Sequence, residues 1–490
     1  MSSSASIERG TLYVVASMLY FFLTGYVIYI ALARFLLTPE QFGSYAIVIA
    51  LVSIIVAIFS SGIEQSISKF VSAKRELAYA IKRKSLALIG LVSFVAALAY
   101  FLSAGYIALL LNDLSLIPLI QISAAPIFFF SLYSIYTGCL NGLKDFAKYS
   151  LATFIYLTFK LIFILGLAFI GFGLFGAVAG YAVAAFFAVA AVVLISRFEK
   201  NEKTFDMRKL LKFALPVTAF AIVIKFWIDI DLFAVKALSP IAEAAALSGY
   251  YAAATTIAKL PQVIVVAFSS VLFPLVAGTS AQNDEKKTKF YISSAVRYSL
   301  LVLIPIVFLF SSTSEQLIVL IYSAKYASGA IALAILPFAL AFFSLFFILA
   351  TAIMGIGKPR IATGIGAIML ALALLLNFLL VPAYGIFGAA FSALISMFFG
   401  FLISGIYIYK KFHILFNTKS TAKIVFAGVV IYFISSFWEI SGLLLIAKYL
   451  ALIAVYAAIL FCVREFTERD KAVLQNMLGK GAGARIAQLQ

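Results

Sequence analysis

Four charged residues, Lys225, Asp229, Asp231 and Lys236, sit in an otherwise apolar stretch that reads KFWIDIDLFAVK. At 100° per residue, Lys225, Asp229 and Lys236 fall within about 40° of one another on a helix, while Asp231 points elsewhere. Charge in the middle of a long apolar helix is costly unless it faces protein or water, so such groups are the first candidates for function. Lys225 lies roughly 18 Å along its segment, near the middle of a bilayer. Lys160 and Lys259 reach a similar depth in two other apolar segments. Three ammonium groups at that depth, with water around them, suit a substrate that carries phosphate or carboxylate. Lys225 and Asp229, spaced i and i+4, could instead neutralise each other and merely pin neighbouring helices. That reading leaves Lys160 and Lys259 unexplained. Arg34 and Lys236 lie toward the outer ends of their segments, and Lys69 and Arg297 toward the inner ends, where long side chains reach the interface. Glu64, toward the inner end of its segment, is a candidate acid for coupling to H+ or Na+. The candidate binding set is therefore Lys160, Lys225, Asp229, Lys259, Arg34, Asp231 and Lys236.

Other chemistries are excluded by counting. The chain has one histidine, His413, in a polar loop, which rules out a His-based metal site, general base or proton relay. Cys139 and Cys462 fall near helix ends on the basic side, so no structural disulfide is expected. The sequence contains no P-loop pattern, and every loop is too short for a catalytic or nucleotide-binding domain. No cofactor and no metal are expected, and the chain does not read as an enzyme.

The elements that carry these residues are transmembrane helices. Of the 490 residues 65% are hydrophobic and 11% charged, and the mean hydropathy is +1.13, a composition that needs lipid as solvent. Fourteen apolar segments of spanning length follow one another: 11–35, 44–71, 86–111, 117–140, 151–170, 176–196, 213–238, 249–277, 291–312, 329–354, 361–381, 386–409, 424–438 and 442–463. The first is too long for the apolar core of a signal peptide and is expected to be retained. The net charge of +18 does not point to nucleic acid, because most of the 37 Lys and Arg residues lie in alternate short breaks. By the positive-inside bias those breaks, and both termini, are cytoplasmic.

The longest basic break, residues 197–212, separates two groups of six segments with weak self-similarity. Gly173-Leu174-Phe175-Gly176-Ala177 matches Gly385-Ile386-Phe387-Gly388-Ala389, and Thr38-Pro39 with Ser44-Tyr45 resembles Ser239-Pro240 with Gly249-Tyr250. The expected architecture is an all-α polytopic membrane protein with two six-helix lobes related by a pseudo-two-fold along the membrane normal. Residues 1–200 form one lobe, 201–412 the other, 413–464 two added helices and 465–490 a cytoplasmic tail. Prolines inside segments, at Pro126, Pro216, Pro274, Pro305 and Pro337, could let helices bend. The aromatic residues, 16% of the chain, are expected at lipid contacts and interfacial belts.

The run Ala33-Arg34-Phe35-Leu36-Leu37-Thr38-Pro39-Glu40-Gln41-Phe42-Gly43-Ser44-Tyr45 resembles the first-loop signature of the polysaccharide-biosynthesis flippases of the multidrug/oligosaccharidyl-lipid/polysaccharide exporter superfamily. Similar motifs follow at Gly62-Ile63 to Phe70-Val71, Phe273-Pro274-Leu275, Met354-Gly355-Ile356-Gly357-Lys358-Pro359 and Asn377 to Ala390. The resemblance implies two lobes around a central cationic cavity, and transfer of a lipid-linked oligosaccharide from the inner to the outer leaflet of the cell membrane. Arg34 matches the motif arginine, and Asp229 falls where many members carry an acid in the seventh span. Membrane lipids and a coupling H+ or Na+ would be the other partners, and one chain would suffice as a monomer. Two other functions compete. A multidrug or cation antiporter of the same superfamily would usually have twelve spans and an acidic cavity. A membrane enzyme acting on lipid-linked sugars would usually need a large external loop bearing catalytic groups.

Overall fold

The computed structural model describes residues 2–200, 203–413 and 418–465, and among them every regular element is helical. Within lipid a backbone must satisfy its own polar groups, and a helix does so within one segment. The main helices are α1 (Ser2–Ala31), α2 (Pro39–Ala73), α3 (Ala78–Leu102), α4 (Ala125–Gly142), α5 (Phe146–Leu167), α6 (Gly173–Ile195) and α7 (Met207–Leu238). They continue as α8 (Ile241–Ala258), α9 (Gln262–Ala281), α10 (Glu285–Ser312), α11 (Ala330–Gly355), α12 (Pro359–Phe412), α13 (Thr418–Phe437) and α14 (Leu444–Cys462). The proposed tail, apart from Glu465, lies outside the described residues.

Eleven described helical stretches are long and apolar enough to cross a membrane. Two of these, Phe146–Ile195 and Pro359–Phe412, double back at glycines, and α8 with α9 makes one more pass, so the passes number fourteen. Both reversals use the same backbone geometry. Gly173 has φ 48° and ψ −127°, and Gly385 has φ 54° and ψ −130°, a region closed to residues with a Cβ. These are the first glycines of the two matched sequence motifs, so the self-similarity corresponds to a repeated hairpin.

Helix starts are written locally. Thr38 and Gln41 form a reciprocal capping box with Pro39 in the first turn of α2. Asp145, Asp206 and Asp284 cap α5, α7 and α10. Two breaks differ from the sequence expectation of continuous spans. Pro126 lies in the first turn of α4, after a break at Ser123-Ala124, rather than inside a helix. The segment 249–277 is interrupted at Lys259-Leu260-Pro261, because Pro261 has no N–H to continue the ladder.

In the first half α2 packs on α4, and α5 packs on α1 and α6. In the second, α11 packs on α9, α10 and α12, and α13 lies on α10. α2 also packs against α7 and α8, joining the halves. Where α2 meets α8, Gly43 lies against the Ala245 carbonyl and Gly249 against the Pro39 carbonyl, so a side chain at either position would push the helices apart.

Candidate functional site

α7 carries Lys225 and Asp229 one turn apart into the middle of the bundle. Their charged atoms meet at 3.0 Å, too obliquely for a hydrogen bond, and the lysine side chain remains 32% exposed. α5 brings Lys160 to the same place, with its ammonium 5.6 Å from the ring centre of Tyr181 on α6. Lys259 arrives as the C-cap of α8, where the break leaves it at the negative end of a helix dipole, a favourable position for a cation. Lys160 and Lys259 form no ion pair or hydrogen bond among the described residues. All three lysines and Asp229 line one cavity of about 390 Å³.

The rest of the wall was not anticipated from sequence. Six tyrosines line it: Tyr26 and Tyr29 of α1, Tyr45 of α2, Tyr156 of α5, Tyr181 of α6 and Tyr251 of α8. The depth and i, i+3 spacing of Tyr26 and Tyr29 within segment 11–35 were the available signal, whereas Tyr45 and Tyr251 stand at the starts of segments 44–71 and 249–277 and read as interfacial. Aromatic faces and phenol hydroxyls beside ammonium groups make a wall that can hold an anion and stack a polar ring at once.

Four predicted residues lie elsewhere. Asp231 is buried on the opposite side of α7 and accepts a 2.6 Å hydrogen bond from the side-chain amide of Asn377 on α12. The Asn377 carbonyl oxygen, also buried, has no partner. Lys236 does not continue the Lys225–Asp229 stripe into the cavity. It pairs at 2.6 Å with Asp113, from the loop before α4, and is 3% exposed. The helical wheel grouped Lys236 with Lys225 and could not reveal the loop that meets it. Nearby, Asn112 donates to the Ala237 carbonyl at 3.0 Å. Asp113 is partly buried, which opposes its charge, but the Lys236 ammonium and Ser115 outweigh this and hold its pKa below the usual carboxylate value. Arg34 donates to the carbonyls of Leu320 and Ile321, at the end of the short helix Ser314–Ile321. Glu64 lines a separate polar cleft.

The contacts of Lys236, Asn112 and Arg34 join the two halves at the face opposite the basic loops. An aromatic cluster reinforces them, with Phe42 of α2 5.9 Å from Tyr326 and 6.1 Å from Tyr322, both fully buried.

Such a bundle, with doubled-back hairpins and a charged chamber between two halves, defines a multi-pass membrane transporter. A family model described as polysaccharide biosynthesis protein matches residues 31–331. The chain belongs to that family, within the multidrug/oligosaccharidyl-lipid/polysaccharide exporter superfamily. It is 26% identical to an uncharacterized membrane protein of Methanocaldococcus jannaschii over 81% of this chain and 97% of that one. Another membrane protein of that organism is 28% identical but matched over only 32% of its length. A probable low-salt glycan biosynthesis flippase of Haloferax volcanii is 23% identical over 37% of this chain and 40% of its own. Among solved structures, the fold is similar to the lipid II flippase MurJ in an inward closed conformation, with TM-score 0.79, 16% identity, and coverage of 93% and 99%. It is also similar to an inward-facing multidrug transporter of the MATE family, with TM-score 0.64, 15% identity, and coverage of 79% and 94%.

Proposed function

We propose that this protein flips a lipid-linked oligosaccharide from the inner to the outer leaflet of the cell membrane by alternating access, with the lysine cavity holding the phosphate linkage. The observation that carries this reading is the convergence of Lys160, Lys225 and Lys259, from both halves of the chain, on one cavity that offers a single carboxylate. A glycan and its phosphates cannot cross hydrocarbon unaided, so they need a wet chamber while the lipid tail stays in the membrane. The excess of two positive charges favours an anionic cargo and disfavours the organic cations an antiporter carries. The similar proteins agree, since one is the lipid II flippase MurJ and another a probable glycan biosynthesis flippase.

In this reading residues 1–200 and 201–412 act as the two moving lobes of a monomer, and the basic loops and both termini face the cytoplasm. The seal formed by Lys236–Asp113, Arg34 and Phe42 with Tyr322 and Tyr326 is the outer gate. It opens as the cavity closes toward the cytoplasm. Coupling to H+ or Na+ fits Asp231, a buried carboxylate that accepts from the side-chain amide of Asn377. The membrane potential is a second source of drive, worth about 2.3 kcal/mol per charge moved through 100 mV.

Proteoliposomes loaded with a fluorescent polyprenyl-diphosphate oligosaccharide test the assignment. Transfer between leaflets that depends on the protein is expected. Absence of transfer for several such glycans, together with uptake of an organic cation against an ion gradient, would replace this reading with an antiporter.

A further inference from the structure

A second polar recess, of about 550 Å³, lies beside the basic face of the bundle, between α2, α4 and α5. Ser61, Glu64, Gln65, Ser68 and Lys69 of α2 line it, with Asn141 of α4 and Tyr149 of α5. Its position relative to the lysine cavity follows from helix geometry. Ser53 of α2 lines the cavity, and Glu64, eleven residues on, lines the cleft. Lys160 of α5 lines the cavity, and Tyr149, eleven residues earlier, lines the cleft. Eleven residues bring a helix back to within about 20° of the same face, roughly 16 Å along its axis. α2 runs toward the basic face and α5 away from it, so both helices present the same stripe to the cavity and then to the cleft. Tyr156 lies between the two on α5. The two recesses therefore lie along the same stripe of α2 and α5.

Their chemistry differs. The cavity has three cations to one acid. The cleft has one of each, and the Lys69 ammonium is held 3.6 Å from the ring centre of Phe213. What remains is a dense set of neutral donors and acceptors. The side-chain amides of Gln65 and Asn141 make no hydrogen bond among the described residues, and Glu64 lies half-buried beside Thr137 and Tyr149. A balanced cleft does not attract an anion, and its polar wall repels an acyl chain. Carboxylate, amide and hydroxyl groups around an aromatic ring suit adjacent hydroxyls of a sugar, which both donate and accept.

We propose that the cleft of Glu64, Gln65, Asn141 and Tyr149 is a subsite for neutral sugar rings of the glycan, reached while the lipid-proximal phosphates sit among the lysines. This deepens the flippase reading and rests on it. A glycan that fills both stations must extend roughly 16 Å beyond its phosphates, so the site selects oligosaccharides over single sugars.

The test compares binding of two probes to the full-length protein in nanodiscs: polyprenyl diphosphate bearing one N-acetylhexosamine, and the same lipid bearing a neutral pentasaccharide. Wild type should prefer the longer probe by roughly tenfold, the yield of one or two net hydrogen bonds. Glu64→Gln, and separately Gln65→Ala with Asn141→Ala at the accessible rim, should bring the ratio of affinities close to one. Retained binding of the short probe shows that each variant is folded. A wild-type ratio near one, or a ratio that survives both variants, overturns the subsite while leaving the flippase reading intact. If wild type binds neither probe, the flippase reading fails and takes the subsite with it.

Discussion

Helix α7 holds two ion pairs that share residue types and little else. Lys236 and Asp113 meet at 2.6 Å, join the two halves of the chain, and leave the lysine 3% exposed. Lys225 and Asp229 lie on one helix, meet obliquely at 3.0 Å, and leave the lysine 32% exposed with two further lysines close by. The first pair is complete and has nothing left to offer a ligand. The second is unfinished, and in a costly environment an unfinished pair marks the place where cargo supplies the missing charge. On the proposed function, the distinction separates the charged residues of a gate from those of a binding chamber.

The comparison can be broken most easily at the completed pair. Asp113→Ala strands Lys236 in a buried place, which should cost about 3 kcal/mol and lower the melting temperature in detergent clearly. An unchanged melting curve would mean that the pair holds nothing. Lys225→Gln leaves Lys160 and Lys259 on the same cavity as Asp229, so melting should fall less than in Asp113→Ala while flipping drops roughly tenfold or more, as expected for one lost charge-assisted contact. Asp231→Asn should remove the dependence of flipping on a Na+ or H+ gradient while phosphate-lipid binding persists. A gradient response equal to that of wild type would place coupling elsewhere.

The smallest effect concerns pH. Because the folded pKa of Asp113 is lowered, its contribution is fully present above the unfolded value of about 3.9 and is lost only as pH falls through the folded value. Labelling of a cysteine placed behind the outer seal, taken relative to a cysteine in an exposed loop so that the thiol's own titration cancels, should therefore be flat between about pH 5 and 8. A rise within that window would point to a different titrating group.

The charged candidates were legible because apolar segments make any charge conspicuous. Lys160, Lys225 and Lys259 could be selected from depth and Asp229 from its place on the Lys225 stripe, and all four line one cavity. The glycine hairpins were legible as repeated motifs, since a positive φ demands glycine at Gly173 and Gly385. Neighbours were not legible. A helical wheel placed Lys236 with Lys225, but Asp113 comes from a loop far away in sequence and claims it. The break at Lys259 was written in Pro261, yet apolar continuity on both sides concealed it. The tyrosines were hidden for another reason. In a chain with 25 tyrosines and 49 phenylalanines, aromatic type alone does not separate a chamber wall from a lipid-facing surface.

The most direct measurement is the flipping rate in proteoliposomes for Lys160→Gln, Lys225→Gln and Lys259→Gln beside Lys160→Arg, Lys225→Arg and Lys259→Arg, at matched insertion and melting temperature. If the cavity holds the phosphates by charge, each glutamine variant loses most of the rate and each arginine variant recovers a large part of it. Equal rates in wild type and all three glutamine variants would contradict the cationic chamber and leave the lysines as structural residues.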